Sequence, residues 1–236
     1  MPGAEPELMW TNGRVIAADI TIEPLAAQQL LPPGLTVSKD ATATVFVADY
    51  PPTSFGPAYR EAAILLHAID AAGSPAAHCP FMLVDDDASL IMGRELLGFP
   101  KKLGLIEIVY GPDTVVASAT RMGSELLRMD VAIGDVDPTP PSWSRRTVNV
   151  IGSLLTGMYF LELPVARERI HAAHHALATI SLGSGGQDNL SLLSDPVTVA
   201  GRSFMLDTGD ASTDTPILGE GVDFDWAVGA YFARSM

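Results

Sequence analysis

Gly93-Arg94-Glu95-Leu96-Leu97-Gly98-Phe99-Pro100-Lys101-Lys102-Leu103-Gly104 holds two of the three lysines in a chain that otherwise relies on eleven arginines for positive charge. The third is Lys39. An ammonium group can lose its proton inside a protein and a guanidinium cannot, so paired lysines in an arginine-using chain point to an amine nucleophile. Ile91, Met92, Leu96, Leu97, Phe99 and Leu103 surround the pair with apolar side chains. Moving an amine from about 10.4 to near 6 takes about 6 kcal/mol. Two ammonium groups about 6 Å apart at an effective dielectric of about 20 repel by only about 3 kcal/mol, so desolvation has to supply much of such a shift. Extended backbone weakens the neighbour further, because adjacent side chains then point to opposite faces.

Outward from this stretch the local signals are clear. Asp85-Asp86-Asp87 followed by Ala88 to Leu96 predicts a helix with an acidic N-terminus, one aspartate capping it, Gly98 stopping it and Pro100 barring its continuation. Capping outweighs a metal role for the three aspartates. Leu103 to Tyr110 and Thr114 to Ala119 predict a hairpin about Gly111-Pro112-Asp113, continued by Glu125 to Ile133. Upstream, Met1 to Thr11 reads as irregular, Gly13 to Ile22 as a strand, and Glu23-Pro24 as the start of a short helix. Leu25, Leu30 and Leu31 would form its apolar face and Pro32-Pro33-Gly34 its stop. Thr42 to Tyr50 is β-branched and aromatic, hence a strand. Pro51 to Pro57 is a loop, Ala58 to Ile69 is divided between strand and helix, Gly73 to Pro80 is a loop, and Phe81 to Val84 is a buried strand.

Downstream, Asp135 to Ser142 is the best linker, and Trp143 to Asn149 opens a second strand set. Tyr159 to Leu163, Ile170 to Leu182 and Val197 to Leu206 alternate as strands, Asp207 to Gly221 reads as turns, and Phe224 to Phe232 as a closing helix. Many short strands with few helices predict a mainly β chain of the α+β kind, a largely antiparallel β-barrel or cone in a single domain over residues 1–236.

The net charge of −14 argues against nucleic acid and anionic membranes as partners. No run approaches a membrane span and no secretory signal opens the chain; with one cysteine, Cys79, this fits a cytoplasmic protein whose thiol is a small buried hydrophobe. His171, His174 and His175 lack a matching carboxylate motif, so no metal is expected. Ser184-Gly185-Gly186 is a turn, since no Lys-Ser/Thr follows it to make a phosphate loop.

GRELLGFPKKLG resembles the signature of the acetoacetate decarboxylase family. The resemblance covers roughly residues 12 to 120, where the family also has a strand, a short helix and a Leu-Pro-Pro stop in this order. It implies a cofactor-free enzyme in which Lys101 forms a Schiff base with a small keto acid, beside Lys102 as the neighbour credited with lowering its pKa. It implies a strand over Ala58 to Ile69 and a pocket glutamate at Glu61, with Arg14 as a candidate carboxylate ligand. Phe99 and Arg94 flank the lysines as candidate substrate contacts, although Arg94-Glu95 reads first as a structural ion pair. It also implies a homo-oligomer. One departure matters: where the family has a second glutamate, this chain has Val45-Phe46-Val47. Relatives use the same lysine to condense pyruvate with an aldehyde and dehydrate the product, so that chemistry stands as the rival. A non-catalytic barrel holding an apolar ligand is the alternative of another class.

Overall fold

Strict alternation along the strands decides which side chains face inward and which face the site. The computed structural model describes residues 8–53, 56–153, 155–163, 165–209 and 217–232. Its elements begin with β1 (Leu8–Thr21), α1 (Pro24–Leu30), β2 (Leu35–Val37), β3 (Thr42–Tyr50), β4 (Tyr59–Asp70), β5 (Pro75–Val84) and α2 (Asp87–Leu97). There follow β6 (Lys101–Leu103), β7 (Leu105–Tyr110), β8 (Thr114–Arg121), β9 (Ser124–Val136), β10 (Thr147–Ser153), β11 (Gly157–Leu163) and β12 (Arg167–Leu182). A ribbon of β13 (Ser184–Gly185) and β14 (Asp188–Asn189), a 3-10 turn (Leu190–Leu192), then β15 (Val197–Gly209), β16 (Ile217–Gly221), α3 (Phe224–Trp226) and a π-helical turn (Ala227–Phe232) complete the set among the described residues.

The main sheet runs β16-β11-β10-β5-β4-β3-β1-β15-β12-β9-β8-β7, with β2 added on β4 and β6 on β5. Pairing is antiparallel except where β5 meets β6 and β10. The ladder is therefore mixed and open. Its circuit is completed along the chain instead: β6 pairs β5, Gly104 bonds to Val84 O, and β7 then pairs β8. The mainly β fold is as expected, but strand pairing does not close the sheet into a barrel; its ends are linked through the chain at Gly104, between β6 and β7.

One face of the sheet carries the larger apolar core, with Ile16, Ile20, Val45, Ile64, Leu83, Ile106, Met129 and Ile180 drawn from seven strands. The opposite face of β1, β3, β4, β5 and β15 carries a second cluster, including Val15, Phe46, Ala63, Met82 and Phe204. Ile16 and Val15 are neighbours in sequence and belong to different clusters, as a period of two demands.

Four expectations are corrected. Residues 8–11 are strand, because Leu8 and Trp10 pair with Gly209 and Thr208 of β15; residues 1–7 lie outside the described residues. Gly73 to Pro80 is a loop only at its start, since β5 begins at Pro75 and pairs with β4 along its whole length. Leu25 is 79% exposed, and α1 buries Ala27 in place of it. The turn-rich tail contains the end of β15 and all of β16, with residues 210–216 outside the described residues. Phe224 to Phe232 is helical as expected, its second part a π-helical turn. Among the described residues no helix is long and apolar enough to cross a membrane.

Candidate active site

Helix α2 and the strand after it place the lysine. Asp86 caps α2 by accepting 2.7 Å hydrogen bonds from the backbone N–H and the hydroxyl of Ser89, and Asp87 adds negative charge to the first turn. The helix ends on Gly98 at φ 63°, whose N–H returns to Gly93 O. Asn149 of β10 donates to Leu97 O at 3.0 Å and satisfies a terminal carbonyl. The chain then turns through Phe99 and Pro100 into β6, so Lys101 lies back against the helix it has just left. Gly93 makes room for it: a Cβ there would sit 2.5 Å from both Cδ and Cε of Lys101.

Lys101 is only 6% exposed and Glu61 only 7%. Their side chains meet at 3.0 Å from Nζ to Oε2. The Tyr59 ring lies 5.3 Å from the same Nζ, close enough for a cation–π contact. Tyr59 stacks on Tyr50 with centroids 5.0 Å apart. Burial, reinforced by the Glu61 charge, pushes both phenols well above their ordinary value, so both stay protonated across the working range.

These groups open onto a cavity of about 460 Å³. Its walls are apolar and aromatic, from Trp10, Tyr50 and Tyr59 at one end to Phe46 and Trp143 further along, with Phe99 beside the lysine. Trp143 and Phe46 meet in a T-shaped contact with centroids 5.1 Å apart.

The sequence-derived candidates divide. Lys101, Glu61 and Phe99 line the cavity together. Lys102 does not: it points through the sheet to the opposite side, where Nζ bonds Asp188 at 2.7 Å with both residues 4% exposed. Arg121 approaches the other oxygen of Asp188 at 3.6 Å. Arg14 shares its parity with Ile16 rather than Val15, so it turns away from the cavity and stacks on Tyr110 at 4.8 Å. That phenol is pushed up to about 12, first by burial and then by nearby Asp49. Arg94 and Glu95 sit on α2 outside the lining, which takes Ala88, Ser89, Met92, Gly93, Leu96 and Leu97 from that helix. Cys79 is fully buried, as expected of a small hydrophobe. The three histidines lie on β12, a strand, and face separate partners at Asp207, Gly134 and Asp137.

Sequence reasoning missed the wall formed by Trp143, Ser144 and Arg145, which belong to the irregular segment between β9 and β10. Glu168 of β12 holds it. One carboxylate oxygen accepts from Ser142 Oγ and Trp143 N, the other from Ser144 N and Oγ, at 2.6–2.8 Å. Glu168→Ala is expected to cost about 1–3 kcal/mol, measured by chemical denaturation, because each of these donors loses a charged acceptor. The loosened wall would change Trp143 fluorescence and raise KM more than it lowers kcat.

Hydrogen bonds from the Ser89 side chain, then from its N–H, hold the Asp86 carboxyl below its ordinary value. A carboxyl depressed in the folded state stabilises fully above the ordinary carboxylate range, and this contribution disappears as pH falls through the folded value. Asp86→Ala is therefore expected to cost about 0.5–2 kcal/mol at neutral pH. The difference from the parent should shrink below about pH 4, which thermal melts across acid pH would show.

Solved structures share this architecture. The chain superimposes on an acetoacetate decarboxylase from Legionella pneumophila with a TM-score of 0.75 at 15% identity, covering 94% of this chain and 93% of the other. The enduracididine biosynthesis enzyme MppR, complexed with pyruvate, gives 0.74 at 19% identity over 91% of each chain. An acetoacetate decarboxylase-like enzyme from Sphingomonas wittichii RW1 gives 0.73 at 20% identity, covering 91% of this chain and 95% of that one. At such identities the likeness establishes the fold. A search of curated proteins finds no match. The family model for acetoacetate decarboxylase matches residues 1–154, a span that holds the lysine strand, its helix and Glu61, and the chain belongs to the acetoacetate decarboxylase family.

Proposed function

We propose that the protein is a Schiff-base lyase that decarboxylates a β-keto acid through Lys101. The observation that carries this reading is the buried Lys101 amine, 3.0 Å from buried Glu61, at the wall of a 460 Å³ apolar cavity. In the reaction, the ammonium proton passes to Glu61 along their hydrogen bond, and the neutral amine attacks the ketone carbon. Glu61 returns the proton to the carbinolamine oxygen as water leaves, giving an iminium. The bond to the carboxylate breaks, its electron pair flows to the cationic nitrogen, and CO₂ departs from an enamine. Protonation at carbon and addition of water then release the ketone and free the lysine. The Tyr59 face supports the positive charge on nitrogen while it exists.

Pyruvate aldolase-dehydratase chemistry is the second reading, favoured by one observation. Phe46 projects into the cavity from the Val45-Phe46-Val47 segment where the family has a second glutamate, and the cavity there gains apolar surface in place of an acid. Incubation with acetoacetate or pyruvate, followed by borohydride and mass spectrometry, tests the common step. An adduct on the peptide containing Lys101 is expected. CO₂ release from acetoacetate supports the decarboxylase; a conjugated chromophore from pyruvate plus an aldehyde supports the rival. A protein that binds ligands without forming any adduct would be a binding protein instead.

A further inference from the structure

The cavity has a second cationic end. Among its described lining residues Lys101 and Arg145 are the cations. Arg145 lies 3.7 Å from Asp19 on β1. In register, Asp19 pairs with Thr44, and Thr44 pairs with Leu65 of β4, four residues beyond Glu61. The legs of about 13 Å along the strand and about 10 Å across two strand spacings combine to about 16 Å between the Glu61 and Asp19 backbones, beside whose carboxylates the two cations sit. The intervening row is Phe46 against Ala63, with Trp143 in T-shaped contact with Phe46.

Arg145 is built to accept a further anion. Its side chain is 40% exposed, and among the described residues its guanidinium makes the long ion pair to Asp19 and no hydrogen bond. A guanidinium has five N–H donors in a planar fork, so most remain available to a carboxylate. Glu168 fixes the backbone of the two residues before it, so the group is held at the wall. A β-keto acid the size of acetoacetate, seated with its carbonyl at Lys101, cannot span this distance and would leave most of the 460 Å³ unfilled.

We infer that the substrate is a keto compound with an anionic group at its far end, bound by Arg145, and an apolar or aromatic body lying along Phe46 and Trp143. This deepens the Schiff-base reading and rests on it. The test is a series of methyl ketones of increasing chain length ending in a carboxylate, acetoacetate and levulinate among them, each compared with its methyl ester. The readout is the concentration giving half-maximal borohydride-trapped adduct at Lys101. Long acids are expected to outperform their esters by about tenfold to a hundredfold, the effect of one charge-assisted interaction, while short acids gain no such advantage. Arg145→Gln should bring the ratio close to one, and Arg145→Lys should recover part of it, which separates lost charge from lost fold. Adducts that form equally from acid and ester at every length overturn this inference and leave the imine reading standing. A ratio that survives Arg145→Gln overturns it too. The absence of any adduct, short or long, removes both.

Discussion

Lys101→Met is expected to yield no borohydride-trapped adduct with any keto compound and to reduce turnover to the uncatalysed background. Methionine keeps an unbranched stem of similar volume against Gly93 but has no nitrogen, so electrons from a breaking C–C bond have no sink. The variant also strips Glu61 of the partner 3.0 Å away in a nearly dry site. Breaking a buried ion pair from one side costs about 3–5 kcal/mol, because the surviving charge is stranded. Stability at neutral pH should fall accordingly. Lys101→Met/Glu61→Gln removes both charges together and should regain most of it without regaining any adduct. Normal trapping in Lys101→Met would place the nucleophile elsewhere. Failure of the double variant to recover stability would show that the pair does not act as a unit.

Gly93→Ala is expected to silence the amine without altering it. The new methyl would lie 2.5 Å from Cδ and Cε of Lys101 and 3.1 Å from Nζ, inside van der Waals contact at each. Either the lysine leaves its rotamer or the helix lifts from β6. Overpacking of this kind costs about 1–3 kcal/mol, offset in part by about 1 kcal/mol because alanine favours the helix over glycine. The fold should thus survive with a modest loss in thermal stability. The chemistry should not: displacing a reacting group by about 1 Å can lower the rate about a hundredfold. Single-turnover imine formation at saturating keto acid measures this directly. A Gly93→Ala protein that traps ketones at the parental rate would show that the close approach of helix and lysine has no functional role.

The parts of this chain visible in its sequence are those with a strong local signal. Thr42 to Tyr50 is β3 to the residue, because a β-branched run between two turns admits no other reading. The acidic start and Gly98 stop delimit α2 because caps are local chemistry. Lys101 stands out by its proline-lysine-lysine context, whereas Glu61 is marked only by the family resemblance, since Ala58 to Ile69 is divided between strand and helix on propensity. What failed depended on pairing or on parity. Pro75 to Pro80 is rich in small residues and carries no period of its own; β4 makes it a strand. The resemblance makes Arg14 a candidate for the pocket, but a one-residue shift along β1 exchanges the two faces of the sheet, and Arg14 falls on the face away from the cavity. Arg145 and Trp143 could not be found by periodicity, since they lie in irregular chain positioned by Glu168 from a distant strand. The one available hint was a tryptophan followed closely by two arginines after a proline-rich stretch, chemistry out of place in a plain linker.

The opposed directions of Lys101 and Lys102 give the second lysine a mechanical duty. β6 is three residues long, too short to be held in register by its ladder alone. For it to slide or roll, the ammonium behind it would have to be dragged away from Asp188, out of a nearly waterless interior. The Lys101 amine is thereby riveted from the back of the sheet, at a height set by a carboxylate it never meets.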